Sequence, residues 1–167
     1  MLQLFGERII ATALKEIEEL EKRGYGEREG ETLLLSPEES LYMAEKKLGF
    51  PVKNEKGRKM SYDSLMKHFQ KKDKEFPMKY LVYRDVRDRG FVIKTGFKFG
   101  SHFRVYSRGD KPGKGHAIWL VHCVPEEYTA EFPVISRAVR LAQNVRKKMI
   151  YAVVDKEGDI TYYKIER

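Results

Sequence analysis

At Gly90 the hydrophobic pattern of this chain changes period, and that change limits its fold more than any other feature. The segment leading up to it, FPMKYLVYRDVRDRG, carries apolar residues at helical spacing, with Pro77 near the start and Gly90 at the stop. Beyond it come short runs of strand character, FVIK, HFRVY and HAIWLVHCV, separated by a glycine-bounded turn and the polar loop SRGDKPGKG. A helix feeding an antiparallel meander predicts an α+β chain. The bridging helix divides it into a small N-terminal α+β domain, residues 1–76, and a C-terminal α/β domain, residues 77–167.

Within the first part, a short strand is expected around Arg8 to Ala11. A helix follows from about Ala13 to Arg23, with Leu14, Ile17 and Leu20 on one face and Gly24 as its stop. GYGEREGE reads as a turn and Thr32 to Leu35 as a strand. Ser36, Pro37 and Glu39 then have the order of a capping box with proline in the first turn, and the helix they start is expected to reach Leu48. After a polar loop from Val52 to Lys59, Ser61 caps a helix whose Tyr62, Leu65, Met66 and Phe69 are core candidates. In the second part, Phe132 to Lys148 is helical with an apolar face from Val134 to Ala142. It feeds two strands, IYAVVD and ITYYKI, about the turn DKEGD, so the sheet is mixed, largely antiparallel and flanked by helices.

Charge is distributed unevenly. The chain has 33 Lys plus Arg and 25 Asp plus Glu, a formal +8, yet between Lys94 and Lys148 there are eleven cations and only four acids. Such an excess suits a polyanion, whose condensed counterions are released on binding; the alternative is a solvated surface that maintains solubility. No apolar run approaches the ~18 to 20 residues of a membrane span, since Ala117 to Val124 is interrupted by His122, so no membrane partner is expected. MLQLFGERII lacks the features of a signal peptide, which predicts a cytoplasmic protein. The single cysteine, Cys123, cannot form an intramolecular disulfide or a Cys-rich zinc site, and His122 beside it on a strand points to the opposite face. Neither metal nor cofactor is expected: P-loop, HExxH, GxSxG and GxGxxG signatures are missing, and the clustered acids Asp155 and Asp159 sit on a turn where aspartate serves backbone geometry.

What the basic part does offer is a set of side chains suited to metal-free RNA cleavage. That reaction needs a base for the ribose 2′-hydroxyl, an acid for the departing 5′-oxygen and a cation beside the pentacoordinate phosphorane. Tyr106 ends HFRVY, His116 opens HAIWLV ten residues later, and Lys147 lies at a helix-strand junction 31 residues further on. Each has a structural alternative: a half-buried strand tyrosine, a loop histidine, one more surface charge. His102, His122 and His68 compete for the histidine role, and spacing leaves the choice open.

Those residues also carry a resemblance. YLVYRDVRDRGFVIKTGFKFGSHFRVYSRG, the strand GHAIWLV and RAVRLAQNVRKKMIYAVVDKEGDITYY are similar, in content and order, to the archaeal tRNA-splicing (tRNA-intron) endonuclease family; YGEREGETLLLSPEESLYMAEKKLGF resembles its N-terminal domain more loosely. The resemblance implies a metal-independent endoribonuclease, with residues 77–167 as its catalytic domain, that excises introns from precursor tRNA at bulge-helix-bulge junctions and leaves 2′,3′-cyclic phosphate and 5′-hydroxyl ends. By the same resemblance Tyr106 is the general base, His116 the general acid and Lys147 the transition-state cation. Arg140 matches a position that grips an extruded base, and Arg104, Arg146 and Lys148 are expected to contact RNA with it. Asp155, Glu157 and Asp159 match an acidic loop that docks on a neighbouring subunit, which implies a homotetramer or a heterotetramer with a structural subunit. The alternative is a noncatalytic RNA-binding or assembly subunit of a splicing complex.

Overall fold

The structure, a computed structural model, describes residues 1–167. The chain is α+β and divides into two compact units, Met1–Pro77 and Met78–Arg167. In the first, a five-stranded sheet has the order β3-β4-β2-β1-β5, with β1 Leu2–Phe5, β2 Arg8–Ala11, β3 Glu27–Glu29, β4 Thr32–Leu35 and β5 Val52–Lys53. The helices of this unit are α1 Leu14–Lys22, α2 Pro37–Glu45 and α3 Tyr62–Lys72. Leu2, Leu4, Ile9, Ala11, Leu33 and Leu35 alternate into the core with Ile17, Leu20, Leu41, Leu65 and Phe69.

Several local features differ from the sequence reading, each for a backbone reason. The opening is a hairpin and not one strand, because Gly6, at φ 62°, closes Phe5 onto Arg8 in a two-residue turn. GYGEREGE contains β3, which is wholly exposed and pairs with β4 through backbone ladder bonds and the Thr32 hydroxyl on the Glu29 carbonyl, so it leaves no hydrophobic signature. Val52 and Lys53, read as loop, form β5 beside β1. The capping box is present, with Ser36 and Glu39 bonded reciprocally and Glu39 also accepting from the Gly26 N–H at 3.0 Å. The α2 helix stops at Glu45, short of Leu48: Lys47 adopts a left-handed φ of 52°, and the Leu48 N–H returns to the Met43 carbonyl.

The second unit has a mixed sheet in the order β10-β9-β8-β7-β6: β6 Ile93–Thr95, β7 Phe103–Tyr106, β8 Ala117–Pro125, β9 Lys148–Val154 and β10 Ile160–Ile165. Its neighbours are antiparallel except β8 and β9, which run parallel and are joined by the crossover helix α5, Phe132–Asn144. Leu120, Met149 and Tyr151 pack on the α5 face with Ala142. Phe103 faces the other way, against Tyr83 of α4, Phe76–Asp88, and Tyr162 of β10 donates to Asp85 of the same helix at 2.5 Å. Burial and that acceptor push the Tyr162 phenol well above its usual range, so it is a fixed donor. No helix is long and apolar enough to cross a membrane.

Between β6 and β7 the chain makes a single 3₁₀ turn, Phe97–Phe99, flanked by Gly96 and Gly100. A Cβ on Gly96 would lie 2.1 Å from Ser101 Oγ and 2.8 Å from the carbonyl oxygens of Ser101 and Phe103. The Gly96→Ala variant is therefore expected to lose ~1–3 kcal/mol of stability through overpacking. The midpoint of urea unfolding reads this directly, and an unchanged midpoint would show that the turn opens freely.

Candidate active site

Three segments meet at one backbone carbonyl, that of Ala117. Along β7, Arg104 and Tyr106 project from the same face, the one covered by α5, because strand side chains alternate. Val105 pairs with Trp119 but Tyr106 pairs with Ala117, so β8 carries one extra residue there. Such a bulge bends a strand and re-aims its end. The Tyr106 N–H is bonded to the Val92 carbonyl at 2.9 Å, and only 6% of the residue is exposed. His116 immediately precedes Ala117, on an exposed loop that turns through Gly109 and Gly113, both at φ 83°. Gly115 lets that loop close, since a Cβ on it would sit 2.8 Å from the Asp110 carboxyl carbon.

Lys147 reaches the same point from the end of α5. The helix ends at Asn144 because Arg146 takes a left-handed φ of 58° and the Lys147 N–H bonds back to the Ala142 carbonyl at 2.8 Å. This Schellman arrangement is normally completed by glycine. With the backbone so turned, Lys147 Nζ donates to the Ala117 carbonyl at 2.8 Å and lies over the Phe99 ring, 5.2 Å from its centroid. Burial holds the Lys147 pKa below its ordinary value, and the neighbouring Arg104 charge lowers it further.

Tyr106, His116 and Lys147 thus line one cleft of about 480 Å³, together with Lys98, Arg104 and Lys114. No carboxylate lines it, and no cluster of three or more His, Cys, Asp or Glu side chains is placed to hold a metal ion anywhere in the chain. In chemical terms the cleft holds a phenol, an imidazole and an ammonium ion in a cationic wall. It has the groups for proton transfer about an anionic phosphodiester.

The remaining candidates scatter. Arg104 is 8% exposed; its Nε donates to the Tyr106 hydroxyl at 3.2 Å and its guanidinium also bonds the Thr95 carbonyl. Arg140 is exposed on α5 in a separate groove with Phe132, Arg137 and Ile165. Arg146 and Lys148 are exposed on either side of Lys147. Asp155 Oδ1 accepts from the N–H groups of Glu157 and Asp159, both at 2.9 Å, so that carboxylate organises its own turn while Glu157 and Asp159 face outward. The competing histidines are occupied elsewhere. His102 Nδ1 accepts from the Cys123 N–H at 2.8 Å, with its ring 5.6 Å from that of His122, and His68 bonds the Gly6 carbonyl. Sequence reasoning did not single out Lys98, Phe99 or the Ala117 carbonyl; the glycine-bracketed FKF was the available signal for the first two.

Residues 76–162 match the family model described as tRNA intron endonuclease, catalytic C-terminal domain, and residues 2–66 that of the N-terminal domain of the same enzymes. A tRNA-splicing endonuclease of Pyrococcus horikoshii is 40% identical over 164 residues, covering 98% of this chain and 93% of its own. That of Thermococcus kodakarensis is 43% identical over 164 residues, covering 98% and 95%. A longer tRNA-splicing endonuclease, from Methanosarcina barkeri, is 40% identical over 164 residues that make up 96% of this chain but 46% of its own length.

One consequence of the geometry is electrostatic. In an Arg104→Gln variant the like charge beside Lys147 is gone while burial persists, so the Lys147 pKa is expected to rise toward its ordinary value. An NMR titration of isotopically labelled lysine would follow it, and an unmoved titration would show that the guanidinium does not act on the ammonium.

Proposed function

The chain belongs to the tRNA intron endonuclease family, and from that premise we propose that it excises introns from precursor tRNA at bulge-helix-bulge junctions, without a metal ion or other cofactor, in the cytoplasm. The observation that carries the mechanism is the convergence of Tyr106, His116 and Lys147 on Ala117 in a cleft without carboxylates. In this reading Tyr106 removes the proton of the ribose 2′-hydroxyl at the cleavage site. The 2′-oxygen attacks phosphorus while the bond to the 5′-oxygen breaks, His116 gives that oxygen a proton, and Lys147 offsets the charge on the phosphorane. The products are a 2′,3′-cyclic phosphate and a 5′-hydroxyl. Arg104 acts through Tyr106, whose hydroxyl it holds, in place of the direct RNA contact expected from sequence. Arg140, Arg146 and Lys148 are exposed and available to grip RNA away from the reacting atoms.

The assembly we propose is a homotetramer, or a heterotetramer with a structural subunit. Exposed Glu157 and Asp159 on a turn braced by Asp155 support a docking role. A noncatalytic RNA-binding subunit is the competing reading, and turnover separates the two.

Purified protein incubated with a bulge-helix-bulge precursor tRNA in excess EDTA is expected to make two cuts with cyclic phosphate and 5′-hydroxyl ends. Cutting that needs added Mg²⁺ would overturn the metal-free mechanism. Tyr106→Phe, His116→Ala and Lys147→Ala should each slow single-turnover cleavage by roughly 10²- to 10⁴-fold with the fold intact; near-normal rates in any one would remove that residue from its post. For assembly, reversing the charges of Glu157 and Asp159 to lysine is expected to lower the mass measured by light scattering, and an unchanged mass would count against the docking turn.

A further inference from the structure

Phe97 is the most exposed large apolar side chain of the molecule, at 92%, and it stands on a stiff support. Its 3₁₀ turn is closed by Phe99 N–H to Gly96 O at 2.9 Å, Gly100 N–H to Phe97 O at 3.2 Å and Gly96 N–H to His102 O at 2.9 Å. Ser101 adds its own N–H to Gly96 O at 3.2 Å and its hydroxyl to Phe103 O at 3.0 Å. The ring is held out in water by a backbone that is hydrogen-bonded on both sides of it.

The turn sends its three side chains in different directions. Phe99 packs against the core under α5 and supports the Lys147 ammonium, 5.2 Å from its ring centroid; Lys98 lines the catalytic cleft; Phe97 faces solvent beside it. Two residues of a 3₁₀ helix rise roughly 4 Å. The backbone of Phe97 therefore lies at the edge of the cleft, directly before Lys98 of its wall and two residues before Phe99 beneath the Lys147 ammonium. The charge beside it favours RNA over a protein partner: Lys98, the next residue, is exposed, and the cleft it lines carries Arg104, Lys114 and Lys147 and no carboxylate. A flat apolar face beside cations matches a ligand that alternates π-surfaces with negative charge, which is single-stranded nucleic acid.

We propose that Phe97 is a stacking platform for an unpaired nucleobase adjacent to the scissile phosphate. The proposal rests on the RNA-cutting function above and adds a subsite to it. Because stacking accepts any base with a π-face, Phe97 selects for an unpaired nucleotide at that position and not for its identity.

The test measures affinity for a bulge-helix-bulge RNA made uncleavable by 2′-deoxy substitution at the cut sites, beside a fully paired duplex of equal length. Phe97→Ala is expected to raise the Kd for the bulged RNA about tenfold and leave the duplex unaffected. Phe97→Tyr and Phe97→Trp should keep wild-type affinity, whereas Phe97→Leu, apolar but without a flat ring, should resemble Phe97→Ala. Equal affinity of wild type and Phe97→Ala, or full recovery in Phe97→Leu, would overturn stacking. A lower mass of Phe97→Ala by light scattering would overturn it too, by making the ring a contact between copies. If the wild-type protein itself does not prefer the bulged RNA, the RNA-cutting reading fails with it, an outcome distinct from the failure of Phe97 alone.

Discussion

The hydrogen bond from Lys147 Nζ to the Ala117 carbonyl is the interaction on which the proposed centre depends. It ties the end of α5 to the start of β8, at the residue that pairs with Tyr106 and directly follows His116. Four elements of the second unit, β7, β8, α5 and β9, set the place of that bond. The bulge brings Ala117 opposite Tyr106, the left-handed Arg146 turns Lys147 back over the sheet, and the parallel β8–β9 pair fixes how far along α5 must end. A non-glycine residue in the left-handed region costs about 1 kcal/mol or more, and here it sits one residue before the lysine whose place it determines.

Electrostatics explain why such a cleft awaits a ligand. Burial lowers the Lys147 pKa, and the Arg104 charge beside it lowers it further. In the proposed function a phosphodiester in the cleft offsets that repulsion. In the proposed reaction the same cations attract the anionic substrate and stabilise the negative charge added on the way to the phosphorane. Arg104 differs from the others in being buried against Tyr106 and Thr95, so its contribution is to geometry as much as to potential.

Much of this was legible in the sequence, and the exceptions share a cause. Helices with a buried stripe and runs of strand residues appear where the pattern places them, as for Leu65 and Phe69 of α3 or the antiparallel meander from β6 to β8. The capping residues Ser36 and Glu39 are likewise visible as letters. What escaped was set by backbone conformation: the two-residue turn at Gly6, the all-exposed β3, and helix ends fixed by left-handed Lys47 and Arg146 where no glycine marks the stop. At the site, residue types made Tyr106, His116 and Lys147 candidates and the family resemblance chose them over the competing histidines, but only three dimensions separate the buried Arg104 from exposed Arg146 and Lys148. They also show that Asp155 is engaged by its own turn.

The parallel pairing of β8 and β9 has a consequence for when the centre comes into being. Tyr106 and His116 belong to a hairpin whose partners are close in sequence, whereas Lys147 is 30 residues from the carbonyl it binds, beyond a complete crossover helix. Contacts of long span form after local ones, because chain closure must be completed before they contribute. During synthesis the phenol and imidazole emerge first, and the ammonium arrives only when α5 has docked and β9 has inserted beside β8. The proposed centre is therefore complete only once this unit has folded: a truncated or half-folded chain carries two of the three groups and no closed cleft around them.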